Sequence, residues 1–312
     1  MSAKEMAAAG ITDPALRASY EACRRLNASH GKTYYLATLL LPAWKRPYVH
    51  ALYGFARYAD EIVDDLASTL TDAEKADWLV TWGEQCVQDV AAGGSEHPIS
   101  KAVVDTVRRW DIPLAYIEAF LASMRMDLTV TEYKTYDDLM TYVYGSAAVI
   151  GLEMVPVLEP LVPREVADPY AADLGVAFQL SNFIRDVGED LQRGRVYLPM
   201  EDLEAFDVTR EHLQQGVVDA RVRRLLAFEV ARTREIYRTA AQGVRLLHPT
   251  SRPCIETALA LYGGILDEVE KADYQVLGRR VSVSKGKRAA VAVPGLARAW
   301  AARRDTGIPQ RK

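Results

Sequence analysis

The chain has 312 residues, 49% of them apolar, which is enough to bury a large core. Its formal net charge of −4 carries no global attraction for nucleic acid. Cys23, Cys86 and Cys254 are widely spaced, which argues against a disulfide framework or zinc site and for a reducing, cytoplasmic compartment. Lys4, Glu5 and Asp13 stand where a signal peptide would be apolar, and no apolar run is expected to reach the ~20 residues of a spanning helix.

Taken in chain order, nearly every informative segment predicts helix. Pro47 sits in the first turn of a helix expected to run to about Ser68. Thr71 and Glu74 form a capping box ahead of a long periodic run, and Gly93-Gly94 reads as the turn that ends it. Asp111 with Pro113, Asp168 with Pro169, and Ser251 with Pro253 each look like a helix start. Val217–Leu247 is periodic with only Gly243 interrupting, and Leu247-His248-Pro249 reads as a turn. Period-two strands and internal repeats are missing. The expectation is one all-α domain over residues 1–285. A looser basic tail over 286–312 follows it. From Gln275 to Lys312 ten residues are basic and only Asp305 is acidic.

Two helices carry the chemistry. Tyr53, Arg57, Asp60 and Asp64 follow one another at steps of four, three and four, on a single helical stripe. Gln179, Asn182, Asp186 and Asp190 do the same at steps of three, four and four. Glu61, Asp65 and Glu189 flank the aspartates. The second helix is otherwise crowded with Leu174, Val176, Ala177, Leu180, Phe183, Ile184 and Val187, so it is expected to be central and its polar groups to point inward.

Aspartates four apart repel by roughly 0.2–0.5 kcal/mol per surface pair, and by more when desolvated. Two such pairs on inward faces call for cations. Carboxylates with Asn and Gln carbonyls are a hard donor set that suits Mg²⁺ or Mn²⁺. Magnesium completes its shell with phosphate, so a diphosphate ligand is implied, with Arg57 and Arg185 placed to take remaining phosphate charge. A single Asp-x-x-x-Asp is more often a solvated face. Two of them, extended by further polar residues on apolar helices, are a stronger signal.

These residues carry a resemblance. The stretch QLSNFIRDVGEDLQRGRVYLP (Gln179–Pro199) resembles the second aspartate-rich motif of the squalene and phytoene synthase family, and DEIVD (Asp60–Asp64) its first. His30-Gly31-Lys32-Thr33-Tyr34-Tyr35 and Met126–Gly151 resemble its upstream segment and central helices, so the similarity spans about 15 to 285. The resemblance implies an all-α isoprenoid synthase bundle around a central cavity. It implies Asp60, Asp64, Asp186, Asp190 and Asn182 as Mg²⁺ ligands, with Gln179 and Asn182 orienting the metal–diphosphate cluster. Arg57 and Arg185 would bind diphosphate, Tyr53 and Tyr262 would act at the reacting centre, and Tyr34 and Tyr144 would bind substrate in the cavity.

The implied reaction is head-to-head condensation of two geranylgeranyl diphosphates through a cyclopropylcarbinyl diphosphate to phytoene. Diphosphate is released, a proton is lost and no NADPH is used. The wording of the motifs is most like the bacterial, phytoene-forming branch. The alternatives are squalene or presqualene diphosphate formation from farnesyl diphosphate, and a degenerate scaffold subunit. Asp-Asp-x-x-Asp motifs of head-to-tail prenyltransferases and terpene cyclases are missing, as are Glu-x-x-His pairs of di-iron bundles. The Tyr144–Gly151 segment and Gly31 depart from many relatives, which leaves chain-length preference open. Gly145, Ser146, Ala147, Ala148 and Gly151 read equally as room for a long chain or as close helix packing. For the basic tail, contact with anionic lipid stands against a solvated tail.

Overall fold

A computed structural model describes residues 3–64 and 70–306, with the side chains of residues 32, 61–64 and 72 outside the description. Helices α1 (Ala3–Ala8), α2 (Pro14–His30) and α3 (Lys32–Thr38) lead into α4 (Arg46–Asp64). Pro47 lies in the first turn of α4, and the stretch expected to continue it to Ser68, with Asp65, lies outside the described residues. Val49, Leu52, Phe55 and Ala59 form the buried apolar stripe of α4, with Phe55 against Trp82 and Phe120, and the helix also packs on α2.

Helix α5 (Asp72–Ala92) opens on the capping box: Thr71 Oγ1 accepts from Glu74 N at 3.2 Å, and Glu74 Oε2 accepts from Thr71 N at 2.7 Å. It closes on Gly93 at φ 79°. Helix α6 (Ser100–Trp110) ends on Asp111 at φ 50°, so Asp111 caps a C-terminus; α7 (Leu114–Met126) starts after Pro113 instead. Helix α8 (Tyr136–Val143), a π-helical turn (Tyr144–Ala148) and α9 (Val149–Leu158) follow.

Helix α10 (Arg164–Gln192) is the axis of the bundle and packs on α9, on α13 (Ala220–Ala241) and on α14 (Arg252–Lys271). It begins a turn earlier than the Asp168-Pro169 signal suggested. Pro163 fixes the extended entry, Asp168 pairs with Arg164, and Pro169 is carried in the second turn. Short α11 (Met200–Ala205) and α12 (Arg210–Gln214) lead to α13 (Ala220–Ala241) and a 3₁₀ turn, Gln242–Leu246. Helix α14 (Arg252–Lys271) starts after Ser251, whose hydroxyl caps nothing and accepts from Lys45 Nζ at 2.9 Å. That fully buried ammonium also meets Glu159 Oε2 at 2.6 Å, tying the α3–α4 turn to the ends of α9 and α14.

The segment read as a loose tail is folded: α15 (Lys285–Asp305) packs on α14 and α3. Small residues let it approach, a periodicity that its arginines obscure in the sequence. Residues 307–312 lie outside the described residues. Among the described residues there is no strand, only the bridges Glu132–Val196 and Pro160–Leu247.

One apolar run had been underestimated. Tyr136–Leu158 forms a 23-residue helical stretch whose most apolar 18 residues have a mean hydropathy of 1.4, long and apolar enough by composition to cross a membrane. Two thirds of those 18 residues are buried inside the bundle (67%), as in a core helix. Gly151 marks how tightly: a Cβ there would stand 2.1 Å from the carbonyl oxygen of Ala171 on α10. Close packing therefore governs this position, although Gly151 also borders a cavity.

Glu153, on the opposite side of α9, is 0% exposed, and neither carboxylate oxygen has a hydrogen-bond partner. Burial pushes its carboxyl up to about 8 from an ordinary 4.5. The folded chain then keeps a proton between those values that the unfolded chain has released. Stability contributed at low pH is lost as pH rises toward 8. Glu153→Gln should flatten its share of that decline and raise stability by a few kcal/mol at pH 8. Denaturant midpoints from pH 5 to 8 check this; parallel curves for both proteins would refute it.

Candidate active site

Two cavities meet along α10. The first, about 240 Å³, is walled by apolar and small residues of α3, α4, α9, α10 and α14, among them Thr38, Ala56, Ile150, Leu174, Phe178 and Ala258. On α10 it runs from Asn182 back to Ala167, about 22 Å of helix at 1.5 Å per residue. The second, a cleft of about 880 Å³, is polar and lies at the C-terminal ends of α4 and α10. Gln179 and Asn182 line both. A ligand with a charged head and a greasy tail could fill the two at once, its junction at these amides.

The periodic stripes produce this arrangement. On α4, Tyr53 faces the apolar cavity and Arg57 and Asp60, one and two turns on, face the cleft. Tyr53 stacks on Tyr34 with ring centroids 5.2 Å apart. A Cβ on Gly31 would stand 2.6 Å from the Tyr53 ring, so glycine at this position makes room for that tyrosine. The backbone of α4 extends to Asp64, whose side chain lies outside the described residues. On α10, Arg185, Asp186, Glu189 and Asp190 all line the cleft. Tyr262 of α14 stacks on Phe178 at 4.1 Å and borders the apolar cavity, where burial raises its phenol and Tyr34's above the usual range.

Tyr144 is the exception. It is 49% exposed and lines neither cavity. The residue brought to the cleft is Tyr142, 3% exposed, because α8 ends between them and the π-helical turn carries Tyr144 outward.

Several cleft residues were not singled out from the sequence: His30, Asp127, Tyr142, Arg193, Arg195, Tyr197 and Arg280. Gly194, at φ 75°, turns the chain beyond α10, and Val196 N donates to Thr131 O at 2.8 Å. This returns Arg195 and Tyr197 to the cleft. Asp127 then accepts from the hydroxyls of Tyr142 and Tyr197, both at 2.9 Å, while Arg195 donates to its carbonyl at 2.8 Å. Burial, and then the Asp127 charge, raise both phenols, which remain proton donors to the carboxylate. The Tyr197 ring lies flat on Phe183 at 4.2 Å.

Asp186 is held between two guanidiniums: Arg185 Nε donates at 2.7 Å, and Arg280 Nε and Nη2 approach at 2.9 and 3.0 Å. Arg57 approaches Asp60 at 3.7 Å and Arg280 approaches Glu189 at 3.5 Å. The cleft thus sets arginines 57, 185, 193, 195 and 280 against Asp60, Asp127, Asp186, Glu189 and Asp190. Its charges nearly cancel, so a polyanion entering would need added positive charge. Among the described residues no three His, Cys, Asp or Glu side chains cluster closely enough to cage a metal by themselves. A hard divalent cation could be held here by one or two of the carboxylates only with ligand phosphate and water completing its shell.

A sequence profile described as squalene/phytoene synthase matches residues 27–287. The chain belongs to the squalene/phytoene synthase family. Within the family it is 38% identical over 288 residues to a phytoene synthase of Arthrospira platensis, covering 88% of this chain and 92% of that one. It is 39% identical over 280 residues to a 15-cis-phytoene synthase of Synechocystis, covering 86% and 82%. A squalene synthase from Alicyclobacillus acidocaldarius superposes with a TM-score of 0.76 at 25% identity, over 86% of this chain and 98% of that one. A dehydrosqualene synthase shares the fold, with a TM-score of 0.82 at 24% identity over 92% and 98%. The all-α isoprenoid synthase bundle expected from the sequence is the fold observed.

Asp127→Ala would leave two buried hydroxyls without their acceptor. It should cost about 1–3 kcal/mol in chemical denaturation. Tyr197→Phe, which keeps the ring stack, should cost less; equal losses would argue against the shared-acceptor arrangement.

Proposed function

We propose that this chain condenses two geranylgeranyl diphosphates head to head, through a cyclopropylcarbinyl diphosphate, to phytoene. The observation that carries the reading is the junction at Gln179 and Asn182, where an acidic and arginine-rich cleft opens onto an apolar, aromatic-walled cavity. The similarity to phytoene synthases over most of the chain supports the choice of product.

Arg57, Arg185 and Arg280 are within reach of the cleft and take the diphosphates as planar, bidentate donors. Mg²⁺, or Mn²⁺ in its place, would be held by Asp60, Asp64, Asp186, Asp190 and Asn182, and when bound supplies the positive charge that lets diphosphate leave. Asp186, in holding the metal, would release its two guanidiniums, Arg185 and Arg280, for phosphate. Gln179 and Asn182 orient the head group at the boundary. Tyr34, Tyr53, Phe178 and Tyr262 face the developing allylic cation with π surfaces, and the apolar wall withholds water from it. The closing proton is lost without a reductant, so NADPH is not required.

Incubation of the purified chain with Mg²⁺ and geranylgeranyl diphosphate should give phytoene by mass, with none after chelation by EDTA. Squalene from farnesyl diphosphate, appearing only with NADPH, would overturn the substrate assignment. Asp60→Asn and Asp186→Asn should each lower kcat about 10²-fold or more while leaving thermal stability near that of the parent. A scaffold subunit would release no diphosphate in any of these reactions.

A further inference from the structure

Helix α15 meets the bundle along one side. Gly295 and Ala299 are buried, and Arg303 Nη2 donates to the carbonyls of Leu40 and Leu41 at 2.6 and 3.0 Å. A Cβ on Gly295 would stand 2.6 Å from Thr257 Oγ1 and 3.1 Å from Leu40 Cδ1, so the helix lies directly on α14 and the end of α3. Residues of those same two helices wall the apolar cavity.

The neighbouring stripe of α15 is turned outward. Val293, Leu296 and Trp300, at steps of three and four, are 63%, 52% and 51% exposed. No other helix among the described residues shows more than one large apolar side chain so exposed. Between Lys285 and Asp305 there are six basic residues and a single acid. Arg304 lies over the Trp300 ring at 4.5 Å, and Lys285 and Arg304 are exposed, while Arg298 points the other way and pairs with Glu256 at 3.3 Å.

We propose that this face of α15 docks on an anionic lipid bilayer. Val293, Leu296 and Trp300 seat in the boundary between headgroups and acyl chains, and Lys285 and Arg304 meet lipid phosphate. Charge decides the occupant: an apolar stripe with a cation at each end complements a negatively charged membrane surface. Tryptophan beside arginine has one apolar body and one wet, polar end, as that boundary requires. Three side chains on one helix are also far short of the roughly 800 Å² per partner that a stable dimer buries. Attachment through so small an apolar area needs the charge as a second signal, so it is reversible and sensitive to salt. The proposal does not depend on the reaction assigned above.

The test is sedimentation of the full chain with vesicles of phosphatidylcholine alone and of phosphatidylcholine with phosphatidylglycerol. Binding should require phosphatidylglycerol and fall with added salt. The combined change Val293→Ser, Leu296→Ser and Trp300→Ser should weaken it about tenfold, and Lys285→Glu with Arg304→Glu comparably. Circular dichroism checks that each variant stays folded, since only the outer face of α15 is altered. Failure to sediment with anionic vesicles overturns the proposal, as does binding unchanged by the triple substitution. A dimer in sedimentation velocity that the triple variant dissociates would reassign the face to contact between copies. Loss of phytoene formation with vesicle binding intact would count only against the catalytic reading.

Discussion

The constraint behind this structure is electrostatic. Carboxylates from α4 and α10 are carried to one cleft, Asp60 on one side and Asp186 with Asp190 on the other, at the mouth of a cavity that offers no solvation to charge. Such an arrangement persists only if cations share the site. The arginines supply that countercharge, and the bidentate hold of Arg185 and Arg280 on Asp186 is its clearest expression. The bundle is built to hold these two helices in register: α10 runs through its centre, and the bond between Lys45, Glu159 and Ser251 fastens the far end.

Much of this was legible because it is local. Helical periodicity alone puts Tyr53, Arg57 and Asp60 on one stripe and Gln179, Asn182, Asp186 and Asp190 on another, and the crowding of apolar residues around the second announced its central place. What escaped the sequence is non-local or depends on helix phase. Arg280 reaches Asp186 across 94 residues, and nothing near Arg280 signals a partner. Arg193 and Arg195 stood in a quoted motif, but only the turn at Gly194 shows that the second of them folds back onto Asp127. Asp168-Pro169 misled because a favourable start signal lay inside a helix whose first turn was already fixed by Pro163.

The cavity and the cleft divide the chemistry between them. The wet side carries every charge, and the dry side carries rings and methyl groups. Gln179 and Asn182 are neutral, can accept or donate, and sit where one environment gives way to the other. A carboxylate at that boundary would drag water inward, and an aliphatic side chain would leave the head group unguided.

The π-helical turn at Tyr144–Ala148 shows what one surplus residue can accomplish. On an uninterrupted α-helix, Tyr142 and Gly151 are nine residues apart and would point in opposite directions, since each residue advances about 100°. The wider turn retards the winding, so Tyr142 can serve the polar cleft while Gly151 is presented to α10 and the greasy cavity. Straightening this stretch with all its residues kept would therefore be an error of phase more than of length: the helix could regain its ideal winding at that length only by swinging one of its two working surfaces out of place.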